Sequence, residues 1–559
     1  MKWILGAWAL CFTLALALCW PGLHAPFLYD DLHSIAQNPH LVPANILRVF
    51  WDASLFSDDP NKAMYRPLLL VSYIVNFLFS SDPFDFRLVN IALHTCNALL
   101  VGLIAFRLGL QRWASVVAGA LFLVHPAGVQ PMLYVSARSD ALLAFWFLWA
   151  IYWWLEEGPK WNVLAATVCA LLTKEVAVVL PLCFWLLDYT RPFPKPDYLD
   201  RQASRIWYES RLRWPVYIVF SYLLFHLFGF IEAYHVPSVR PALAQFSTQL
   251  EALGFYAKAL VWPVGYVLDP EFAERATPTA LGLVCWAATL LIPVGLTRLK
   301  SRIPLICYGL ALLSLLVVMV APLNLLVNYR RLYLPCAFFS LFLAWCIEQL
   351  AQEAELRPWI GRGLPLTVAA SFFIIASYQQ SYSWRFEQAL WEENTLRAPS
   401  QPRPWLHLGT VLRGEALEEE AKDAKKMHKS NPKGMRGTEL YTIYHPKAAA
   451  AWAGAAQAFN RVISLTKNEE VLHWKAINNL GSLYFELNNL AKAEEHFQAA
   501  YHHDPADPDY LVNMGNVRWM RKDPQGARAF YLEALERLPT HHEALANEAE
   551  LRRQLGEKP

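Results

Sequence analysis

The stretch Ile303-Pro304-Leu305-Ile306-Cys307-Tyr308-Gly309-Leu310-Ala311-Leu312-Leu313-Ser314-Leu315-Leu316-Val317-Val318-Met319-Val320 holds no charged side chain. As a helix it has nearly the length of a bilayer's hydrocarbon core, where a helix can satisfy all its own peptide groups. Comparable apolar runs recur near 3–20, 88–106, 113–131, 139–155, 161–173, 176–188, 214–230, 279–297, 332–350 and 364–378, so eleven crossings are expected. The run 161–188 is divided at Thr173-Lys174-Glu175, because one continuous helix would bury that charged pair in hydrocarbon. The shorter or interrupted runs 67–80 and 241–268 read as interfacial or re-entrant helices on the outer side. The first run ends Cys19-Trp20-Pro21-Gly22 without a small-residue cleavage pattern, so it reads as a retained anchor.

The whole composition agrees. Of 559 residues 55% are hydrophobic and 17% charged, with 23 Trp and a mean hydropathy of +0.22. These values exclude a disordered chain, a soluble dinucleotide-binding enzyme and a disulfide-stapled secreted domain. A net charge of +2 provides no field that would draw nucleic acid. All nine Cys lie in or beside apolar runs with no CxxC, which fits packing rather than metal or redox chemistry. With the N-terminus cytoplasmic, the basic turns at Arg107 and Arg112, Lys160, Arg191 to Arg213, Arg298 to Arg302, and Arg357 and Arg362 all stay inside. An odd number of crossings then delivers residue 379 onward to the opposite side. The expected organisation is a membrane domain over 1–378 with a first outer loop at 21–87, a linker at 379–400 and a soluble domain over 401–559.

That last domain carries a repeat. Leu480, Gly481, Tyr484, Ala493, Phe497, Ala500 and Pro505 are matched 34 residues later by Met514, Gly515, Ala527, Tyr531, Ala534 and Pro539, apart from the tyrosine position. Small residues at helix contacts, an aromatic in the gap and a closing Pro are the pattern of a tetratricopeptide array. A further copy is split: Trp405, Leu408 and Gly409 give one helix, Ala455, Phe459 and Val462 the other. A Lys-rich insertion at roughly 415–447 lies between them, and 541–556 reads as a capping helix. The fold class expected is all-α: a polytopic membrane helical bundle followed by an α-solenoid.

Ionisable residues at the predicted outer turns supply the candidate chemistry. They are Asp30 and Asp31; Arg66; His125; Arg138 and Asp140; Lys174 and Glu175; and Arg330 and Arg331. Each has an ordinary explanation singly, such as a solvated turn, a snorkelling cation or a paired helix break. Gathered on one face, acids beside several cations describe a site for an anionic lipid headgroup and a hydroxyl or amide acceptor.

The ordered set Leu28-Tyr29-Asp30-Asp31, Tyr65-Arg66-Pro67, His125-Pro126, Arg138-Ser139-Asp140, Thr173-Lys174-Glu175 and Arg331-Leu332-Tyr333 resembles one family. It is the transmembrane-and-tetratricopeptide-repeat O-mannosyltransferases, within the GT-C glycosyltransferase superfamily. The segment Phe255-Tyr256-Ala257-Lys258-Ala259-Leu260-Val261-Trp262-Pro263 looks like its re-entrant region. The resemblance implies a polyprenyl-phosphate sugar donor, used on the extracytoplasmic face, and a catalytic carboxylate in the first outer loop. Asp30 is then the expected general base, with Asp31 positioning the acceptor or an optional Mg2+ or Mn2+ ion, roles that can be exchanged. Arg66, His125, Arg138, Asp140, Lys174, Glu175, Arg330 and Arg331 are the expected donor-binding set, with no required cofactor. The acceptor is expected to be a protein held by the 401–559 surface. The expected setting is a bacterial inner membrane with a periplasmic repeat domain, or an endoplasmic-reticulum membrane with a lumenal one. No Asn-x-Ser/Thr sequon, P-loop or dinucleotide fingerprint occurs. Two competing readings keep the architecture: transfer to a lipid or surface polysaccharide, and a non-catalytic membrane-anchored scaffold.

Overall fold

The computed structural model describes residues 2–57, 64–190, 201–229, 240–353, 363–427, 436, 439–468 and 470–556. Among the described residues every regular element is helical. The chain divides into two compact units, 1–386 and 387–559.

In the first unit the helices are α1 (Lys2–Cys19), α2 (Pro67–Phe77), α3 (Pro83–Arg107), α4 (Arg112–Val124), α5 (Val129–Leu133), α6 (Arg138–Leu155) and α7 (Lys160–Leu171). They are followed by α8 (Leu180–Thr190), α9 (Arg201–Gly229), α10 (Ala242–Val261), α11 (Ala280–Leu296), α12 (Ile303–Val320), α13 (Tyr333–Glu353) and α14 (Leu364–Ser383). The exterior is apolar: α11 buries only Gly282, leaving Leu281, Val284 and Leu291 each more than 60% exposed. A helix apolar on all sides yet outside the protein core is solvated by lipid. The protein is a membrane protein.

Four stretches among the described residues are long and apolar enough to cross a bilayer: Leu5–Gly22, Pro83–Arg107, Ile303–Val320 and Tyr329–Gln352. The pair 112–124 and 126–133, bent by 56°, makes a fifth if counted as one span. Of the eleven runs expected to cross, these are the ones that meet that length and composition among the described residues. The apolar runs at 161–173 and 176–188 became helices of 12 and 11 residues, at most ~18 Å each, against a core of ~30 Å. Helices α6, α9 and α14 have the length but carry Arg138 and Asp140, four arginines, and a Ser-Tyr-Gln-Gln-Ser segment respectively. The expected cytoplasmic bases Arg191, Lys195, Arg357 and Arg362 lie outside the described residues.

Helix α3 is the hub, packing on α1, α4 and α6. Asp82 caps its start by accepting from the Phe84 N–H at 2.9 Å, and Pro83 occupies its first turn. It meets α4 almost backbone to backbone: a Cβ on Gly119 would stand 2.6 Å from the Ala98 carbonyl oxygen. Small residues permit this approach, the usual way helices associate where lipid removes the hydrophobic drive. From α3 the buried Arg87 donates to the carbonyls of Leu133 (2.8 Å), Leu23 (3.3 Å), Ala25 and Pro26 (2.7 Å). It thereby holds the beginning of the long loop between α1 and α2 against the end of α5. The loop has its own core: Ile35, Leu41, Val49, Leu55 and Phe56 pack on Leu69, Tyr73 and Ile74 of α2 and on Phe86.

The second unit begins with α15 (Glu387–Arg397), α16 (Pro402–Met427), α17 (Glu439–Tyr444) and α18 (Pro446–Leu465). It continues with α19 (Val471–Glu486), α20 (Leu490–His503), α21 (Pro508–Met520), α22 (Pro524–Arg537) and α23 (His542–Gln554). The segment 379–400, expected as a linker, is mostly helical, formed by the end of α14 and by α15. Consecutive helices pair as hairpins, α19 with α20 and α21 with α22. Gly481 faces the Phe497 ring and Gly515 the Tyr531 ring, where a Cβ would come within 2.6 Å and 2.5 Å. The turns repeat as well: Asn488 (φ +59°) and Lys522 (φ +63°) occupy the left-handed region at equivalent positions. The split copy pairs α16 with α18, Gly409 resting on Phe459. The region is tetratricopeptide-like.

Candidate active site

Five chain junctions of the first unit converge: the turn after α1, the start of α2, the α5–α6 turn, the α7–α8 break and the approach to α13. The decisive local feature is Tyr29, whose φ of +53° lies in the left-handed region that non-glycine residues rarely enter. Beyond it Asp31 turns inward and Asp30 remains partly open.

Asp31 is fully buried. Its Oδ1 accepts from the Ser136 N–H (2.7 Å) and hydroxyl (2.5 Å), and its Oδ2 from the N–H groups of Leu28 (3.3 Å) and Val135 (3.4 Å). Burial pushes its carboxyl up to about 6, against the pull of the Ser136 donors and of Arg87. Asp30 is 37% exposed at its side chain and stands 3.4 Å from His33 Nε2. Burial opposes its charge, but His33, Tyr134 and Arg330 outweigh that and hold the carboxyl below its ordinary value. Asp30 is therefore an ionised carboxylate at neutral pH, while Asp31 holds the loop to the α5–α6 turn.

The cations form two linked pairs. Lys174 Nζ donates to Asp140 Oδ1 at 2.5 Å, and Arg330 Nε lies 3.5 Å from Asp140 Oδ2, so Asp140 bridges both. Arg66 Nη2 reaches both oxygens of Glu175, at 3.1 and 3.2 Å. Burial disfavours the Glu175 anion, yet Arg66 and Lys174 bring its carboxyl down to about 2. Arg330 also lies over the Tyr134 ring, 6.0 Å from its centroid, and Tyr134 adjoins Asp30. Burial and the two neighbouring acids push the Tyr134 hydroxyl well up. A carboxylate base, an aromatic floor and two cations sharing one counter-ion can bind an oxyanion and deprotonate a hydroxyl beside it.

Three expected donor residues lie elsewhere. Arg138 is buried, donating to Asn90 (2.7 Å), the Ser72 carbonyl (3.1 Å), Asn76 and the Phe86 carbonyl (both 2.9 Å), between the rings of Tyr73 and Phe86. All its guanidinium nitrogens are engaged, so it joins α6 to α2 and α3. His125 is also buried: Nδ1 accepts from the Ala127 N–H (3.1 Å) and Nε2 meets the Leu260 carbonyl (3.1 Å), which fixes the bend before α5. Arg331 turns to the Tyr256 hydroxyl (3.2 Å) and the carbonyls of Leu325 and Leu326. Sequence reasoning missed His33, Tyr134, Ser136 and Arg87. For three of them the available signal was proximity to the quoted motifs, His33 three residues from Asp30 and Tyr134 and Ser136 four and two before Arg138; Arg87 lies beside none.

The Asp31 oxygens, considered for a divalent ion, already receive four protein donors and do not fit a metal ligand. Among the described residues no group of three or more His, Cys, Asp or Glu could hold a metal ion.

No family model matches the chain. Over an alignment of 638 positions covering 97% of its length it is 22% identical to the human protein O-mannosyl-transferase TMTC3. The chain is TMTC-like. Shorter stretches agree more closely: 33% identity over 194 residues with the protein O-mannosyl-transferase Tmtc1 of Drosophila melanogaster, and 32% over 214 with Tmtc2 of that fly. These stretches are 33% and 35% of the TMTC-like chain. The chain spans about a fifth of the length of each fly relative (22%) and 69% of the human one.

Proposed function

We propose that the protein is a membrane glycosyltransferase that moves a monosaccharide from a polyprenyl-phosphate donor to a Ser or Thr hydroxyl of a protein, on the extracytoplasmic face. The observation that carries this reading is the half-open carboxylate of Asp30 beside the Lys174–Asp140–Arg330 bridge. The Asp30 carboxylate takes the acceptor's proton as its oxygen forms a bond to the anomeric carbon. The bond from that carbon to the phosphate oxygen breaks, its electron pair leaving with the lipid phosphate. Lys174 and Arg330 then stabilise that dianion, with Arg66 at the edge. A single displacement inverts the anomeric centre. The names of the relatives support O-mannosylation in particular, and the repeat unit is the proposed holder of the acceptor polypeptide.

Transfer of mannose from a polyprenyl-phosphate donor, measured in membranes holding the full chain, tests the reading. Asp30→Asn is expected to lower the rate by about 10²- to 10⁴-fold, the usual worth of general-base catalysis. Full retained transfer would overturn the assignment.

A further inference from the structure

The histidine beside the proposed base is held from two directions. His33 lies in the turn Leu32–Ala36, which is wound as a π-helix, a local form frequent at functional sites. Its Nε2 is 3.4 Å from Asp30 Oδ1, and its Nδ1 is 3.0 Å from the Ser57 hydroxyl, 24 residues further along the loop. The contact with Ser57 is not a product of helical spacing; the loop core of Ile35, Leu55 and Phe56 brings the two segments together. A neutral imidazole has one donor and one acceptor nitrogen. A Ser57 hydroxyl donating to Nδ1 leaves the proton on Nε2, the nitrogen facing Asp30. Among the described residues two other groups face Asp30 from elsewhere, the Tyr134 ring from the α5–α6 turn and Arg330 from the approach to α13. Neither shares its local chain, and Arg330 is engaged by Asp140. Of these three His33 is the one close in sequence, three residues after the base.

We propose that His33 is a positioning residue: Ser57 fixes its tautomer, and its Nε2–H orients the Asp30 carboxylate toward the acceptor hydroxyl. The geometry is that of a carboxylate–histidine pair in which the acid reacts and the histidine steers, the reverse of a hydrolase triad. The proposal rests on Asp30 being the base, so its test separates the two.

The experiment measures kcat, KM and the pH profile of mannose transfer from a polyprenyl-phosphate donor, using full-length protein in membranes. His33→Ala is expected to lower kcat at least tenfold with donor KM unchanged. It should also move the acid limb of the profile to higher pH, because a group that favours the Asp30 anion is gone. His33→Gln, which returns an amide donor near the Nε2 position, should recover most of kcat. Ser57→Ala should reduce kcat in the native background and have no effect in His33→Ala. Unchanged kcat and acid limb in His33→Ala, with Asp30→Asn inactive, overturn the positioning role and leave the base assignment standing. Full activity in both variants overturns the base assignment itself. A kcat loss in His33→Ala with an unmoved acid limb and no recovery in His33→Gln shows a merely structural residue and also overturns the proposal.

Discussion

The left-handed backbone of Tyr29 gives two adjacent, chemically identical side chains opposite tasks. Asp30 keeps an open oxygen, while Asp31 receives four hydrogen bonds. Asp31→Asn would place an amide among donors and orphan some of them, at about 1–3 kcal/mol for each unsatisfied group. Thermal unfolding in detergent should therefore show a lowered midpoint for Asp31→Asn and an unchanged one for Asp30→Asn. The sequence shows the acidic pair and its loop but not this division, since no motif records a backbone angle. Arg330 and Arg331 pose the same problem: one step along the turn separates the Asp140 contact from the Tyr256 contact. Arg138 misled for a different reason. Its partners Asn76, Asn90 and Ser72 lie 48 to 66 residues away in apolar segments and drew no notice.

At the scale of elements, the closest contacts depend on glycine. Gly119→Val would drive a side chain into the Ala98 carbonyl of α3, a backbone atom that cannot step aside, at about 1–3 kcal/mol. Gly6→Val, at a position where an added Cβ meets nothing within 4 Å, is the matched control. Comparison of the two melting midpoints in the same detergent checks this: a clear drop is expected for the first and none for the second. The repeat helices were legible because their determinants are local, as Gly481 with Phe497 and Gly515 with Tyr531 show. Membrane crossings were less so. The break expected at Thr173-Lys174-Glu175 is present, the backbone stopping at Leu171 and resuming as an α-helix at Leu180, but hydropathy gave no sign of how short the two helices are.

As a whole molecule the chain joins a unit with an apolar exterior to one built of polar helical hairpins. Residues 387–559 form a compact unit with their own buried clusters and are expected to fold when expressed alone. Their stability should vary with pH through His541, whose Nε2 lies 3.1 Å from Asp509 on the preceding hairpin. The hydrogen bond to Asp509 raises the histidine's value against desolvation. The native state thus binds the proton more tightly. The stabilisation is complete below about pH 6.5, the unfolded value, and is lost as pH climbs through the raised native one. Circular dichroism melts of the fragment should show a falling midpoint across that window, and Asp509→Asn should flatten it.

The reach of Arg87 ties this chemistry to the surrounding lipid. A guanidinium on a bilayer-crossing helix grips main-chain carbonyls just before the segment that presents the proposed base, and one at the end of α5. Any tilt that α3 adopts to match a thicker or thinner membrane is transmitted to that segment as a pull on its anchor points. Turnover of the proposed transferase is therefore expected to vary with acyl-chain length, which transfer assays in membranes of different thickness check.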